Sequence, residues 1–276
     1  MTTRSRRSAL FMPASNARAI EKARGLDCDV VILDLEDAVA PDLKASARAA
    51  AIAAVEQGGF GARELIVRVN GLDTEWGADD CAALGRAAPD AILLPKVSTP
   101  ADLAIARAET GSNVPLWAMI ETCAAVTGIG ALTASAAQHG LTGLIAGTND
   151  LAKEMRCRPD AARTPLLPAL AALVMAARAT GLIVLDGVCN VLEDGPLLAA
   201  ECEQGAMFGF DGKSLIHPAQ IAAANRAFGA SEAQMAWAQA VIAAFARPEN
   251  ADKGAIRVNG EMVERLHLEQ AERIIG

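Results

Sequence analysis

Glu121 and Asp150 each close an apolar run, Leu116-Trp117-Ala118-Met119-Ile120-Glu121-Thr122 and Ala146-Gly147-Thr148-Asn149-Asp150-Leu151. A buried strand needs no charge at its end, and an unpaired buried carboxylate is costly, so two such endings point to one site that holds something positive. Two carboxylates that each give one oxygen leave most positions of an octahedral ion to water and substrate. Mg2+ is bound in that way in open catalytic sites. Neither segment carries a histidine or a thiolate ligand, so zinc is the poorer match. The bland alternative is that Glu121 caps the following helix and Asp150 pairs with a nearby lysine. Either residue alone favours that alternative, and the two together favour the cation.

Arg68 interrupts the apolar run Leu65-Ile66-Val67-Arg68-Val69-Asn70. A guanidinium there can hold a carboxylate bidentately, which suits an anionic substrate such as a keto acid, or it can form a buried ion pair with Asp34 or Glu36. The segment Asp34-Leu35-Glu36-Asp37 places three acids in four residues directly after Val30-Val31-Ile32-Leu33. Alternate strand residues share a face, so Asp34 and Glu36 point one way and Asp37 belongs to the loop. In Phe208-Gly209-Phe210-Asp211-Gly212-Lys213-Ser214-Leu215-Ile216-His217-Pro218, Lys213 can meet a phosphate or a carboxylate. His217 precedes a proline at a helix start and reads as structural, and His139 and His267 read as surface residues.

The elements that must position these groups are short apolar runs rich in β-branched residues, separated by Ala-rich stretches of helical length. Strands are expected near 9–13, 29–35, 64–69, 91–95, 115–120, 141–146, 182–186 and 206–210. Continuous apolar runs suit strands covered by helices. Residues 41–56, 100–109, 165–180 and 192–204 carry helical composition, with Pro41, Pro100 and Pro165 where a first turn tolerates them. The alternation predicts an α/β fold, a (β/α)8 TIM barrel, with a doubly wound sheet as second choice. Barrel enzymes display chemistry at the C-terminal ends of their strands, and there lie Asp34, Glu36, Asp37, Arg68, Asn70, Lys96, Glu121, Asp150 and Asp186. Residues 1–248 are read as the barrel. Asn259-Gly260 between two short apolar runs marks a hairpin, so 249–276 is read as a C-terminal hairpin-helix extension.

The chain has 276 residues, 52% hydrophobic and 21% charged, enough for a large core. Its net charge of −8 excludes a sequence-independent nucleic-acid surface. No run approaches the about 20 apolar residues of a membrane span. Ala9-Leu10-Phe11-Met12 after Arg7 is too short for a signal-peptide core. The six cysteines form no Cys-x-x-Cys pair, which fits reduced thiols in a cytoplasmic setting.

Taken in order, Arg7-Ser8-Ala9-Leu10-Phe11-Met12-Pro13, Asp34-Leu35-Glu36-Asp37-Ala38-Val39, Arg68-Val69-Asn70, Leu94-Pro95-Lys96, Ile120-Glu121-Thr122, Gly147-Thr148-Asn149-Asp150-Leu151 and Gly209 to Pro218 resemble the citrate lyase β-subunit-like branch of the HpcH/HpaI aldolase and citrate lyase family. That branch includes malyl-CoA and citramalyl-CoA lyases, and the resemblance covers almost the whole chain. It implies a Mg2+-dependent barrel, a homotrimer or hexamer, that cleaves or forms a carbon–carbon bond between an acyl-CoA and a small keto acid or glyoxylate. By resemblance Glu121 and Asp150 hold Mg2+, Arg68 holds the acid, Glu121 also touches substrate, and Phe11 and Lys22 lie along the coenzyme A. The family's Gly-x-Met-Ile-Asp-x-Pro-His motif, which a neighbouring subunit's arm brings over the site, reads here Gly260-Glu261-Met262-Val263-Glu264-Arg265-Leu266-His267. Glu264 is thus the implied acid/base, one methylene longer than usual, with Asp37 as second candidate. Two other readings stand beside this one. A class II aldolase of free hydroxy-keto acids is disfavoured because Val31 to Ala40 holds no histidine, and a non-catalytic thioester-binding homologue is motivated by Glu264. Neither the thioester nor its carrier, coenzyme A or acyl-carrier protein, follows from these residues.

Overall fold

The structure, a computed structural model, describes residues 4–193, 195–250 and 252–275. It divides into two compact units, one of Arg6–Phe228 and one of Gly229 onward with Arg4 and Ser5. The division falls at Phe228 and not at 248, because the helix Glu232–Phe245 packs Ala238, Val241 and Phe245 into one small core with Val258, Val263 and Ala271.

In the first unit eight parallel strands close into a barrel in chain order. They are β1 (Ser8–Pro13), β2 (Val30–Asp34), β3 (Glu64–Arg68), β4 (Ala91–Leu94), β5 (Leu116–Ile120), β6 (Leu141–Ala146), β7 (Ile183–Asp186) and β8 (Gly212–Leu215), with helices between them. Closure is made by β1, whose Ala9 aligns with Val30 on one side and Ser214 on the other. Seven strands fall where the apolar runs place them. The eighth does not: 206–210 spans the end of the helix Pro196–Phe208, which stops where Gly209 takes φ 93.

Period-two alternation sorts the strand residues into two cores. Val31, Leu33, Val67, Leu94, Ala118 and Val184 face the helices. Ala9, Val30, Ile32, Ile66, Leu93, Trp117, Met119, Ile145 and Leu185 fill the barrel itself. Trp117 is 1% exposed and lies against Gly143, where a Cβ would come within 2.4 Å of the indole. The register shift between Leu116 and Trp117 places Gly143, not Thr142, opposite that ring. Continuing the inward parity upward, Asp34 follows Ile32, Arg68 follows Ile66 and Glu121 follows Met119 by two residues each. Three charged side chains therefore crown an apolar layer.

In the second unit Asn259 and Gly260 both have positive φ, 50 and 93, which is what a two-residue hairpin turn requires. They join β9 (Ala255–Val258) to its antiparallel partner β10 (Glu261–Glu264), and the helix Arg265–Ile275 follows. Among the described residues no helix is long and apolar enough to cross a membrane, and the six cysteines are free thiols.

Candidate active site

A cavity of about 340 Å3 opens at the C-terminal end of the barrel strands, lined by Phe11, Asp34, Asp37, Arg68, Met119, Glu121, Gly147, Thr148, Asn149, Asp150, Ser214 and Ile216 among others. The parity of β2, β3 and β5 delivers Asp34, Arg68 and Glu121, the loop after β2 delivers Asp37, and the first turn of the helix Thr148–Met155 delivers Asp150.

Asp34 organises one wall. Its Oδ1 accepts from Glu36 N at 2.9 Å and its Oδ2 from Ala38 N at 3.1 Å, which folds the acidic segment into a turn. Both oxygens also accept from Arg68, Nε to Oδ1 and Nη2 to Oδ2, each at 2.7 Å. Of the two roles open to Arg68, the geometry realises the ion pair, and the guanidinium fork is closed on Asp34. Nη1 remains, 2.9 Å from Glu36 Oε2 and 3.4 Å from Asp37 Oδ2, so a substrate oxygen meets a single N–H edge. Phe11 lies against the same guanidinium, 4.9 Å from ring centroid to Cζ. Burial opposes the Arg68 charge, but Asp34, Glu36 and Asp37 outweigh it and hold its pKa above the usual arginine value. Behind the loop the Lys44 ammonium donates to Leu35 O at 2.8 Å and Glu36 O at 2.7 Å. Lys44 thus orders the segment through its backbone.

Glu36 lies just outside the cavity lining, and burial pushes its carboxyl up to about 7 against the pull of Arg68. Its Oε2 has no hydrogen-bond partner among the described residues. A carboxyl whose pKa is raised on folding binds its proton more tightly when folded than unfolded. Its stabilising contribution is present below the unfolded value of 4.5 and is lost as pH rises through about 7. Relative to Glu36→Gln, the wild-type protein should lose on the order of 3 kcal/mol of unfolding free energy between pH 5 and 8 in the presence of a chelator. Urea titrations of both proteins at the two pH values check this, and parallel curves would refute it.

On the opposite wall Glu121 is 3% exposed. Its Oε1 accepts from Lys96 N at 2.7 Å, and burial raises its pKa above the usual carboxylate value. Its other oxygen occupies space left by Gly147, where a Cβ would come within 2.3 Å of Glu121 Cβ and 2.6 Å of Oε2. Asp150 is half-buried in the first turn of the helix Thr148–Met155, four residues past the end of β6 and not at the strand end itself. The helix Cys123–Thr127 is capped by Thr122, whose side chain accepts from Ala125 N at 3.0 Å, and not by Glu121. No lysine makes a close ion pair with Asp150 among the described residues, although Asp150 is near enough to Lys96 to favour its charge. Lys96 lies at the rim with its ammonium 3.6 Å from Glu36 Oε1. Burial lowers its pKa, but Glu36, Asp37, Asp150 and Glu121 raise it further, above the usual lysine value.

Five carboxylates, Asp34, Glu36, Asp37, Glu121 and Asp150, thus face two cations, Arg68 and Lys96. The excess of negative charge, the all-oxygen donor set and the room kept by Gly147 suit a hard divalent cation held by Glu121 and Asp150. Two carboxylates alone would leave most positions of such an ion to water and substrate, and no group of three His, Cys, Asp or Glu side chains is placed to hold a metal among the described residues.

The remaining expected residues separate. Phe11 lines the cavity, whereas Lys22 is exposed on the helix Ala17–Ala23 and is not part of the lining. Glu264 is exposed at the end of β10 in the second unit, where its N–H donates to His267 Nδ1 at 2.9 Å. Asp186 and Lys213 share the parity of Val184 and Leu215, so they leave the mouth for the helix side of the sheet. There Lys213 Nζ meets Asp186 Oδ2 at 2.9 Å and Glu201 Oε2 at 3.1 Å, and Arg163 Nη1 donates to Asp186 Oδ1 at 2.7 Å. Lys213 therefore meets carboxylates. His139, expected at the surface, is buried at 9% exposure. His217 accepts from Ala219 N at 3.2 Å as a helix cap. Glu36 and Lys96 were legible only as polar residues after strands; their importance comes from Arg68 and Glu121, which they touch.

Residues 7–218 match the HpcH/HpaI aldolase/citrate lyase family. A (3S)-malyl-CoA thioesterase of Cereibacter sphaeroides is 48% identical over 98% of this chain and 93% of its own length. The citrate lyase β subunit of Leuconostoc mesenteroides is 33% identical over 99% of this chain and 93% of its own. The crystal structure of CitE from Mycobacterium tuberculosis, in complex with magnesium, acetoacetate and coenzyme A, superposes with a TM-score of 0.79 at 28% identity, covering 98% of this chain and 97% of that one. With its closed eight-stranded barrel and its acid-rich mouth, the chain belongs to the HpcH/HpaI aldolase/citrate lyase family, in the branch that contains the citrate lyase β subunits.

Proposed function

We propose that this chain is a Mg2+-dependent enzyme of short, carboxylate-bearing 3-hydroxyacyl-CoA thioesters of the malyl-CoA type, with thioester hydrolysis as its net reaction. The observation that carries the reading is the paired wall of Glu121 and Asp150 opposite Arg68, in a chain that shares 48% identity with a malyl-CoA thioesterase. Glu121 and Asp150 would hold the ion, which when bound would polarise a carbonyl oxygen. Arg68, fixed by Asp34, offers Nη1 to a substrate oxygen. Asp37, exposed in the mouth, is placed to take a proton from water. Water adds to the thioester carbonyl, the carbon–sulfur bond breaks, and the thiolate leaves to be protonated, giving the hydroxy diacid and coenzyme A.

Carbon–carbon cleavage is the second reading, favoured by the citrate lyase β subunit at 33% identity. There a base removes the hydroxyl proton, the bond between the hydroxyl-bearing carbon and its neighbour breaks, and the thioester enolate is protonated. Glu264 is the proposed acid for that step.

The test is incubation with (3S)-malyl-CoA and Mg2+, following free thiol and glyoxylate in parallel. Thiol without glyoxylate is expected. Glyoxylate with acetyl-CoA and no thiol would select the lyase, and neither product would sink both. Chelation should abolish turnover, and added Mg2+ should restore it.

A further inference from the structure

Lys96 touches the carboxylate cluster twice. Its backbone takes φ 53, a left-handed conformation that a side-chain-bearing residue adopts at a cost, and this turns the N–H onto Glu121 Oε1 at 2.7 Å. Its side chain is 53% exposed and carries the ammonium to 3.6 Å from Glu36 Oε1, with Asp37, Asp150 and Glu121 also near enough to favour its charge. No hydrogen bond of the ammonium accompanies that ion pair among the described residues. The contrast with Arg68 is sharp: that guanidinium is clamped by Asp34 through two nitrogens and is 9% exposed. Of the two cations that face these acids, only the lysine has a loose contact and a long flexible stem open to solvent.

We infer that the Lys96 ammonium is a built-in counter-ion of the cation site. It neutralises Glu36, Asp37, Glu121 and Asp150 while no divalent ion is bound, and it withdraws into solvent when one binds. The inference rests on the reading that Glu121 and Asp150 hold that ion. Physically, an ammonium and a dication cannot share one carboxylate cluster without repulsion. At a mouth open to water the repulsion amounts to roughly a tenfold loss of affinity, and salt screens it. Lys96 thereby spares the empty site the self-repulsion of its acids and keeps the bound ion exchangeable. Its backbone role is separate: the N–H on Glu121 survives any substitution that keeps a side chain of similar shape.

Mn2+ binding to the full-length protein at low ionic strength, read by electron paramagnetic resonance of the free ion, tests this without reference to turnover. Lys96→Met is expected to bind Mn2+ roughly tenfold more tightly than wild type. Lys96→Arg, which keeps the charge, should match wild type, and the gap between the Met variant and wild type should shrink as sodium chloride is raised. Equal affinity in Lys96→Met and wild type overturns the inference, as does weaker binding in Lys96→Met, which would make the lysine a support of the site. A separate arm guards the underlying reading. If Glu121→Gln binds Mn2+ as well as wild type does, the cation site itself is misplaced, whatever Lys96 does. Thermal melts of each variant establish that the protein measured is folded.

Discussion

Replacing Glu121 with glutamine is expected to lower cation-dependent turnover by about a thousandfold or more while leaving the barrel folded. The amide keeps the shape of the carboxyl, and its oxygen can still accept the Lys96 N–H at the 2.7 Å now observed. What it removes is one negative charge from a wall where Glu121 and Asp150 are the proposed ligands. Because burial raises the Glu121 pKa, the ionised carboxylate is a cost that folding bears. The variant should therefore be at least as stable as wild type near neutral pH. Inactivity with an unchanged or raised melting temperature is the expected pair of results, read by the thiol-release assay and by calorimetry. A variant keeping a tenth of wild-type activity would remove Glu121 from the cation site, whereas a large drop in stability would make it a structural residue.

The second large effect lies on the other side of the sheet. Asp186→Ala should destabilise the protein by about 3–5 kcal/mol, because it strands a buried ammonium. Lys213 is 0% exposed, and without Asp186 it keeps, among the described residues, Glu201 at 3.1 Å as its carboxylate partner. Arg163, itself 5% exposed, would lose its carboxylate too. Lys213→Met should cost less, since Asp186 retains Arg163 and the carboxylate left without the ammonium, Glu201, belongs to a residue that is only partly buried. Urea denaturation of the two single variants reads the asymmetry directly. Equal and small losses would show that water reaches this cluster and that the charges are not truly buried.

That cluster also explains where the sequence was hard to read. Seven strands announce themselves as apolar runs because both of their faces are covered. The eighth, Gly212–Leu215, carries a lysine and a serine, since Lys213 is paired with Asp186 and Ser214 lines the cavity. Its apolar content is too low to stand out, and the run Ala206 to Phe210, which does stand out, is mostly the end of a helix. Pairing across strands is likewise invisible in one dimension. Arg68 offered a substrate clamp or an ion pair, and the choice was made by Asp34, which the β2–β3 register sets directly beside it. Asp186 shares the strand-end position of Glu121, yet one residue of parity turns it to the opposite face. Glu121 was legible as a candidate because an acid directly after a wholly apolar strand has few structural reasons to be there, whereas Asp150 follows Thr148 and Asn149 in a helix turn that the strand pattern does not place.

The floor of the barrel has a kinetic meaning. Trp117 against Gly143, with the apolar layer around it, fills the barrel beneath the cavity. On the proposed function, two fragments parted above that floor share the mouth as their way out, and they stay within reach of each other until one of them has left. A severed carbon–carbon bond can be rejoined during that wait, whereas a thioester opened by water has spent its driving force. A closed floor thus weights the outcome towards the step that does not run backwards.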